Sequence, residues 1–307
     1  MSHSSITVLM TAYNAMPYIK EAVESVLAQT HRDFTLLILN NGSLDGTGDY
    51  LREVAAGHND SEKHPRLNIV HLDKNIGRTP VLNKGLGLVD TDITAILDAD
   101  DIAMPQRLSR TVDFFIRNPD IDLVGSDITY IDGTGNIVGE DRFPGEHEEL
   151  CRRLPLVNQF AHSACAFRTE KARAVGGYSE NFPYAQDLAL WIAIFKANGK
   201  AASMKESLAR IRVHPGQATR DMALMKLRAK DNFKLSQAML EIPELEPASR
   251  QAARLRSAGA LFKLGRPQEA LAEIWRGINE APLLLPFNRL LWGRLLLEHG
   301  KRTKRRV

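Results

Sequence analysis

Four short apolar runs in the first hundred residues constrain this chain most: residues 6–10 (ITVLM), 34–39 (FTLLIL), 67–72 (LNIVHL) and 93–97 (ITAIL). Bounded by turn residues, runs of this length read as buried strands. Helical spacing fills the gaps. Residues 18–29 place Ile19, Val23, Val26 and Leu27 on one side of a helix, with Pro17 just ahead of it. Further helices are predicted from about residue 45 to 56, after the turn-forming run Asn40-Asn41-Gly42-Ser43, and over 80–88. Strand and helix in alternation predict an α/β fold with a doubly wound, mostly parallel sheet and helices on both faces. Ligands of such sheets sit at the carboxyl ends of the strands.

Beyond Pro105 the pattern loosens into a helix over 106–117, a strand near 123–127 and a hairpin at Asp132-Gly133-Thr134-Gly135. From about residue 217 it turns almost wholly helical. Residues 258–282 look like one helix pair of a tetratricopeptide repeat, with Gly265 at the turn and Pro282 closing it; a single copy predicts a helical cap rather than an array. Charge marks the same boundary. Residues 1–216 hold 22 Lys and Arg against 28 Asp and Glu, a net −6, whereas 217–307 hold 18 against 9, a net +9. Two domains are therefore expected, an α/β domain over 1–216 and a helical extension over 217–307 ending in the basic run Lys301-Arg302-Thr303-Lys304-Arg305-Arg306. Such a run fits an anionic membrane surface or a solvated tail. No run of about 18 apolar residues is present, and Cys151 and Cys165 offer neither a disulfide framework nor a zinc ribbon. These features point to the cytoplasm, with a peripheral membrane contact through the tail, and none points to nucleic acid.

The densest chemical signal is Asp98-Ala99-Asp100-Asp101, three carboxylates in four residues after the fourth run. Like charges this close resist ionisation unless a cation offsets them, and oxygen ligands suit Mg2+ or Mn2+. An acidic loop ahead of the next helix is the plainer reading. Other nucleotide chemistries lack their motifs: Thr11-Ala12-Tyr13-Asn14-Ala15 stands where a dehydrogenase needs G-x-G-x-x-G, and no G-x-x-x-x-G-K-[ST] occurs. A phosphatase built on D-x-D would carry it after the first strand, not the fourth. A sugar nucleotidyltransferase would show a Gly-rich basic loop near residue 10, and residues 11–17 contain no Gly, Lys or Arg. A non-catalytic adaptor acting through the helical section is the reading from another class.

Several segments occur in one order: Thr11-Ala12-Tyr13-Asn14, Asn41-Gly42-Ser43-Leu44-Asp45-Gly46-Thr47, Asn75-Ile76-Gly77, Asn83-Lys84-Gly85, LDADDIAMPQRL at 97–108, and His162-Ser163 before Phe167-Arg168. Gly176-Gly177-Tyr178, Gln186-Asp187-Leu188-Ala189-Leu190-Trp191 and Arg212-Val213-His214 complete the series. In these the chain resembles the family 2 inverting glycosyltransferases of GT-A fold, over roughly residues 4–215.

That resemblance implies a metal-dependent transferase taking a sugar from a nucleotide-diphosphate donor, a UDP-sugar first of all, to a hydroxyl of a glycan or lipid-linked acceptor. It implies a nucleotide-sugar site of Thr11, Ala12, Tyr13, Asn14, Asn40, Asn41, Asn75, Gly77, Arg78, Lys84, Asp98 and Ala99. The pair Asn40 and Asn41 departs from the usual pattern, which carries at least one Asp. Arg78 and Lys84 read equally as diphosphate partners or as helix-face charges. The resemblance makes Asp100 and His214 metal ligands for Mg2+ or Mn2+ and Asp187 the general base, where spacing alone reads Asp187 as a helix cap. On the acceptor side it places His162, Gly177, Tyr178 and Trp191.

Overall fold

The computed structural model describes residues 5–58, 66–214, 225–243 and 245–281. Its chain divides into two compact units, residues 1–150 with 159–221, and residues 151–158 with 222–307.

The first unit is built on a nine-stranded sheet. Strands β1 (Ile6–Ala12), β2 (Phe34–Asn40), β3 (Arg66–His71) and β4 (Ile93–Ile96) pair in parallel in the order β3-β2-β1-β4. Helices α1 (Ile19–Leu27), α2 (Thr47–Gly57) and α3 (Arg78–Leu88) alternate with them, as the apolar runs predict. Both faces of β1 are covered, which is why it carries no polar alternation. Ile6, Val8 and Met10 pack with Ile19, Val23 and Val26 of α1 in the main core. On the other face α3 comes so close that a Cβ on Gly85 would lie 2.5 Å from Leu9 Cδ1, so any larger residue there would have to displace the Leu9 side chain.

Past β4 the sheet changes character. β5 (Ile102–Ala103) and α4 (Arg107–Arg117) precede β6 (Leu123–Ile131) and the hairpin strand β7 (Ile137–Asp141). Helix α5 (His147–Arg153), β8 (Ala166–Arg168), α6 (Thr169–Ala174), α7 (Gln186–Lys196) and β9 (Ala201–Arg212) follow. The order continues β4-β8-β6-β9-β5, with β8 antiparallel to both neighbours, β9 parallel to β6 and antiparallel to β5. The sheet is thus mixed, a parallel half joined at β4 to a half with both pairing directions. Because β5 pairs β9 directly after the acidic loop, strand pairing pins both ends of residues 97–101.

The second unit holds α8 (Met225–Met239), α9 (Pro247–Lys263) and α10 (Pro267–Glu280). Pro247 and Pro267 stand in first turns, where a missing N–H costs nothing, and Gly265 takes φ +73° between α9 and α10. Ala258, Leu261 and Ala270 form a small core with Phe233 and Ile274, and Arg254 pairs with Glu273 and Glu280 at 3.2 and 3.1 Å. The expected helix pair is present. Pro282 and the basic run at 301–306 lie outside the described residues. No helix among the described residues is long and apolar enough to cross a membrane.

Candidate active site

The parallel strands all point their carboxyl ends to one edge, where three loops are tied together by asparagine amides. Asn41 Nδ2 donates to Asn75 Oδ1 at 3.0 Å and to the Gly77 carbonyl at 3.3 Å, while its Oδ1 accepts from Ile76 N–H at 3.0 Å. Asn40 Oδ1 accepts from Ser43 N–H, and its Nδ2 donates to His71 Nδ1 at 3.1 Å. That bond requires a neutral His71 with its proton on Nε2, in line with a ring held below its usual pKa by burial and then by Arg52. Asn14 Oδ1 accepts from Leu44 N–H at 2.8 Å, joining the first loop to the second.

Asn40 and Asn41 are 4% and 3% exposed, so their amides brace loops and present no open edge to a base. Ala12 is buried as well, and Thr11 is half-buried. Tyr13, 47% exposed, and the neighbouring Asn14 are the residues of that loop that reach solvent.

The acidic loop carries one carboxylate in each of three environments. Asp98 accepts from Arg78 Nη2 at 2.8 Å and pairs with His162 Nδ1 at 3.2 Å. Burial pushes its carboxyl up, but the Arg78 charge and then His162 outweigh it and hold the group well below the usual carboxylate range. Asp101 is buried: its Oδ1 accepts the Arg212 N–H at 2.7 Å, and the Ser163 hydroxyl bonds the carboxylate. Burial, then the charges of Asp100 and Asp98, raise it well above its ordinary value. Asp100 is half-exposed and pairs with His214 Nε2 at 3.1 Å; burial and then Asp98 raise it, against His214. Oxygens of Asp98, Asp100 and Asp101 lie within 4.8 Å of one another, and the group could hold a metal ion.

Behind Asp98 runs a buried chain. His162 Nε2 meets the Tyr178 hydroxyl at 3.0 Å, and the Tyr178 phenol is raised well above its usual pKa by burial and then by Asp187 and Asp98. The backbone of Tyr178 is gripped at both polar groups by Asn83, at 2.8 and 2.7 Å. Asp187 stands in the first turn of α7, while Ala185 holds the cap position, so its residue type is not explained as the helix cap. Its charge acts on Arg78 as well, after the larger effect of Asp98. Asp187 therefore sits within electrostatic reach of the acidic loop, from an element about ninety residues further on.

The acceptor-side expectations need correction. Tyr178 and Trp191 are 1% and 0% exposed, so neither can line an acceptor pocket. Trp191 lies beneath the site, with ring centroids 5.9 Å from Phe167 and 6.5 Å from His162. His162 is buried between Asp98 and Tyr178, and Gly177 shapes the turn that delivers Tyr178. Lys84 is exposed on α3, six residues past Arg78, whereas Arg78 opens that helix and faces Asp98. Residue types alone did not bring out Arg212: its guanidinium is buried and bonded to Glu21, the Asp100 carbonyl and the hairpin carbonyl of Asp132.

A mixed sheet with an acidic loop at the end of its central strand, faced by an arginine, a histidine and a distant aspartate, defines a GT-A type nucleotide-sugar transferase. The chain belongs to glycosyl transferase family 2, whose model matches residues 7–176. It is 28% identical over 223 residues to an uncharacterised glycosyltransferase of Haemophilus influenzae, covering 70% of this chain and 67% of the other. To the O-antigen biosynthesis glycosyltransferase WbnJ of Escherichia coli it is 29% identical over 222 residues, covering 71% and 83%. Among solved structures, S. aureus TarS 1–349 matches with TM-score 0.63 at 15% identity, over 85% of this chain and 73% of that one. The mannosyltransferase PcManGT from Pyrobaculum calidifontis, solved with GDP-Man and Mn2+, matches with TM-score 0.61 at 19% identity, over 93% and 79%.

Proposed function

We propose that the protein transfers a sugar, with inversion, from a nucleoside-diphosphate donor to a hydroxyl of a glycan or lipid-linked acceptor. The observation that carries this reading is the convergence of Asp98, Asp100, Arg78 and Asp187 at one strand edge. Asp100 and His214 are the pair that fits a divalent cation. Their facing atoms are 3.1 Å apart and partly open, whereas Asp98 and Asp101 are already bonded to protein donors. Carboxylate oxygen with a neutral imidazole suits Mn2+ or Mg2+. When bound, such an ion offsets the negative charge that develops on a leaving diphosphate.

The chain's own residues do the rest. Tyr13 offers the base an exposed aromatic face beside the braced loops. Asp98, fixed by two partners, is oriented to accept from ribose hydroxyls, and Arg78 adds positive charge on the diphosphate side. Asp187 removes the proton of the attacking hydroxyl. In support of a surface-glycan acceptor stands the likeness to an O-antigen enzyme. A UDP-sugar is the first donor to test, since a structural neighbour is solved with UDP-GlcNAc. The basic run at 301–306 would hold a cytoplasmic enzyme at an anionic leaflet, which vesicle co-sedimentation of the full chain and of a chain ending at Gly300 measures.

A thermal-shift panel of nucleotide sugars with Mn2+ selects the donor. With that donor, Asp187→Asn is expected to lower kcat about 10²–10⁴-fold, and Asp100→Ala to abolish dependence on added Mn2+ along with most turnover. Product with retained anomeric configuration, or unaltered transfer in both variants, refutes the assignment.

A further inference from the structure

One buried cation in the first unit has more partners than packing requires. The Arg212 side chain is 1% exposed at the end of β9. Its Nε donates to the Asp100 carbonyl at 3.0 Å and Nη1 to the Asp132 carbonyl at 3.2 Å, with a longer approach to the Gly133 carbonyl at 3.5 Å. Nη2 bonds Glu21 Oε2 on α1, and the guanidinium lies over the Tyr18 ring, 4.7 Å from its centroid. The backbone N–H of the same residue donates to Asp101 Oδ1 at 2.7 Å. One residue thus holds Asp100 by its carbonyl and Asp101 by its carboxylate.

Two residues further on, His214 pairs with Asp100 Oδ2 and stands 4.9 Å from the same Tyr18 ring. Val213 between them is tied to β6 by its N–H, bonded to the Ile131 carbonyl at 2.8 Å. The span from 212 to 214 is therefore a rigid link, clamped to the acidic loop at one end and facing its carboxylate at the other.

We propose that Arg212 is a positioning residue for cation binding: its planar fork, held by Glu21 and the β6–β7 turn, fixes the Asp100 backbone so that Asp100 Oδ2 and His214 Nε2 converge. The proposal rests on the reading that Asp100 and His214 hold the metal. A lysine cannot replace the fork, because a single ammonium does not reach carbonyls on separate sides of a planar group. With Asp100 free to turn, the two ligand atoms lose their fixed separation, and loss of such supporting contacts typically costs about 10–100-fold in metal affinity.

The test titrates Mn2+ alone into the full chain, reading free Mn2+ by electron paramagnetic resonance, for wild type and for Arg212→Lys, Glu21→Ala, Asp100→Ala and Phe115→Leu. Phe115 packs in the main core and makes none of the clamp's hydrogen bonds, so its variant controls for lost stability. Arg212→Lys is expected to weaken the dissociation constant about 10–100-fold per folded molecule. Glu21→Ala, at a largely exposed helix position, is expected to fold and weaken it severalfold. Phe115→Leu lowers the melting temperature alone. If both clamp variants bind like wild type while Asp100→Ala has lost Mn2+, the clamp is overturned and the ligand reading stands. If Asp100→Ala binds like wild type, the ligand reading falls and the clamp with it.

Discussion

Restoring an aspartate at position 41, as the family's usual pair suggests, should damage this protein, whereas the same change at position 40 should not. The Asn41 amide donates two hydrogen bonds, to Asn75 Oδ1 and the Gly77 carbonyl, from a site only 3% exposed. In Asn41→Asp both are lost, at about 1 kcal/mol each. The new oxygen then faces two acceptors with no donor, which adds about 1–3 kcal/mol. The sum, about 3–5 kcal/mol, corresponds to a fall in melting temperature of roughly 6–20 °C for a unit of this size. Asn40 differs because its Nδ2 meets a ring nitrogen. An aspartate there accepts from His71 Nδ1–H, keeps the Ser43 contact, and costs under about 1 kcal/mol while raising the His71 pKa.

Acidity gives a second readout. The buried carboxyl at 41 has its folded pKa raised above the unfolded value, so the native state binds more protons between the two values and loses stability as pH rises through that window. The deficit of Asn41→Asp against wild type should therefore be smaller at pH 5 than at pH 8. Thermal unfolding of both variants at the two pH values decides the matter. An Asn41→Asp protein as stable as wild type, or an Asn40→Asp protein that is the weaker of the two, would falsify the loop-bracing account.

Two other changes follow from the same geometry. In Gly177→Ala the added Cβ stands at φ +68° and 2.7 Å from Asn83 Oδ1, the acceptor of Tyr178 N–H; the strain and the displaced bond together cost about 2–3 kcal/mol, and an unchanged melting temperature would contradict this. Asp101→Asn keeps the acceptor for Arg212 N–H while removing a buried charge whose pKa burial and its two neighbours raise. Wild type loses stability as pH rises from the ordinary carboxylate value through the raised one, so in chelator the variant should melt above wild type at pH 8, with the gap closing toward pH 4. A gap that widens on acidification would reverse the sign of the argument.

The parallel half of the sheet was legible because each of its strands announces itself locally. In β2 all seven residues are buried, and the turn residues that end it follow at once. The other half has no such signature. β9 contains Lys205, Glu206, Arg210 and Arg212, a polar reading on its own, and becomes a strand by pairing β6 along a register that shifts near Asp127. β5 is two residues long and exists because β9 arrives beside it. The acidic loop stood out as a composition anomaly. The depth of Tyr178 and Trp191 did not, since an aromatic ring beside a catalytic motif reads the same whether it lines the pocket or supports it. The bracing role of Asn40 and Asn41, expected in the nucleotide-sugar site, was hidden for a similar reason: their bonds to His71 and Asn75 join residues more than thirty positions apart.

The contact between Asp101 and Arg212 spans 111 residues of chain. During synthesis at about 5–20 residues per second, roughly 6–22 s separate the two. Strands β1 to β4 and their crossover helices, built from neighbouring segments, can pair in that interval, because short loop closures cost little. The acidic loop that follows them cannot take its final form until β9 docks. This makes the site one of the last features of the unit to mature, and keeps a clustered set of carboxylates from presenting finished geometry on a half-made chain.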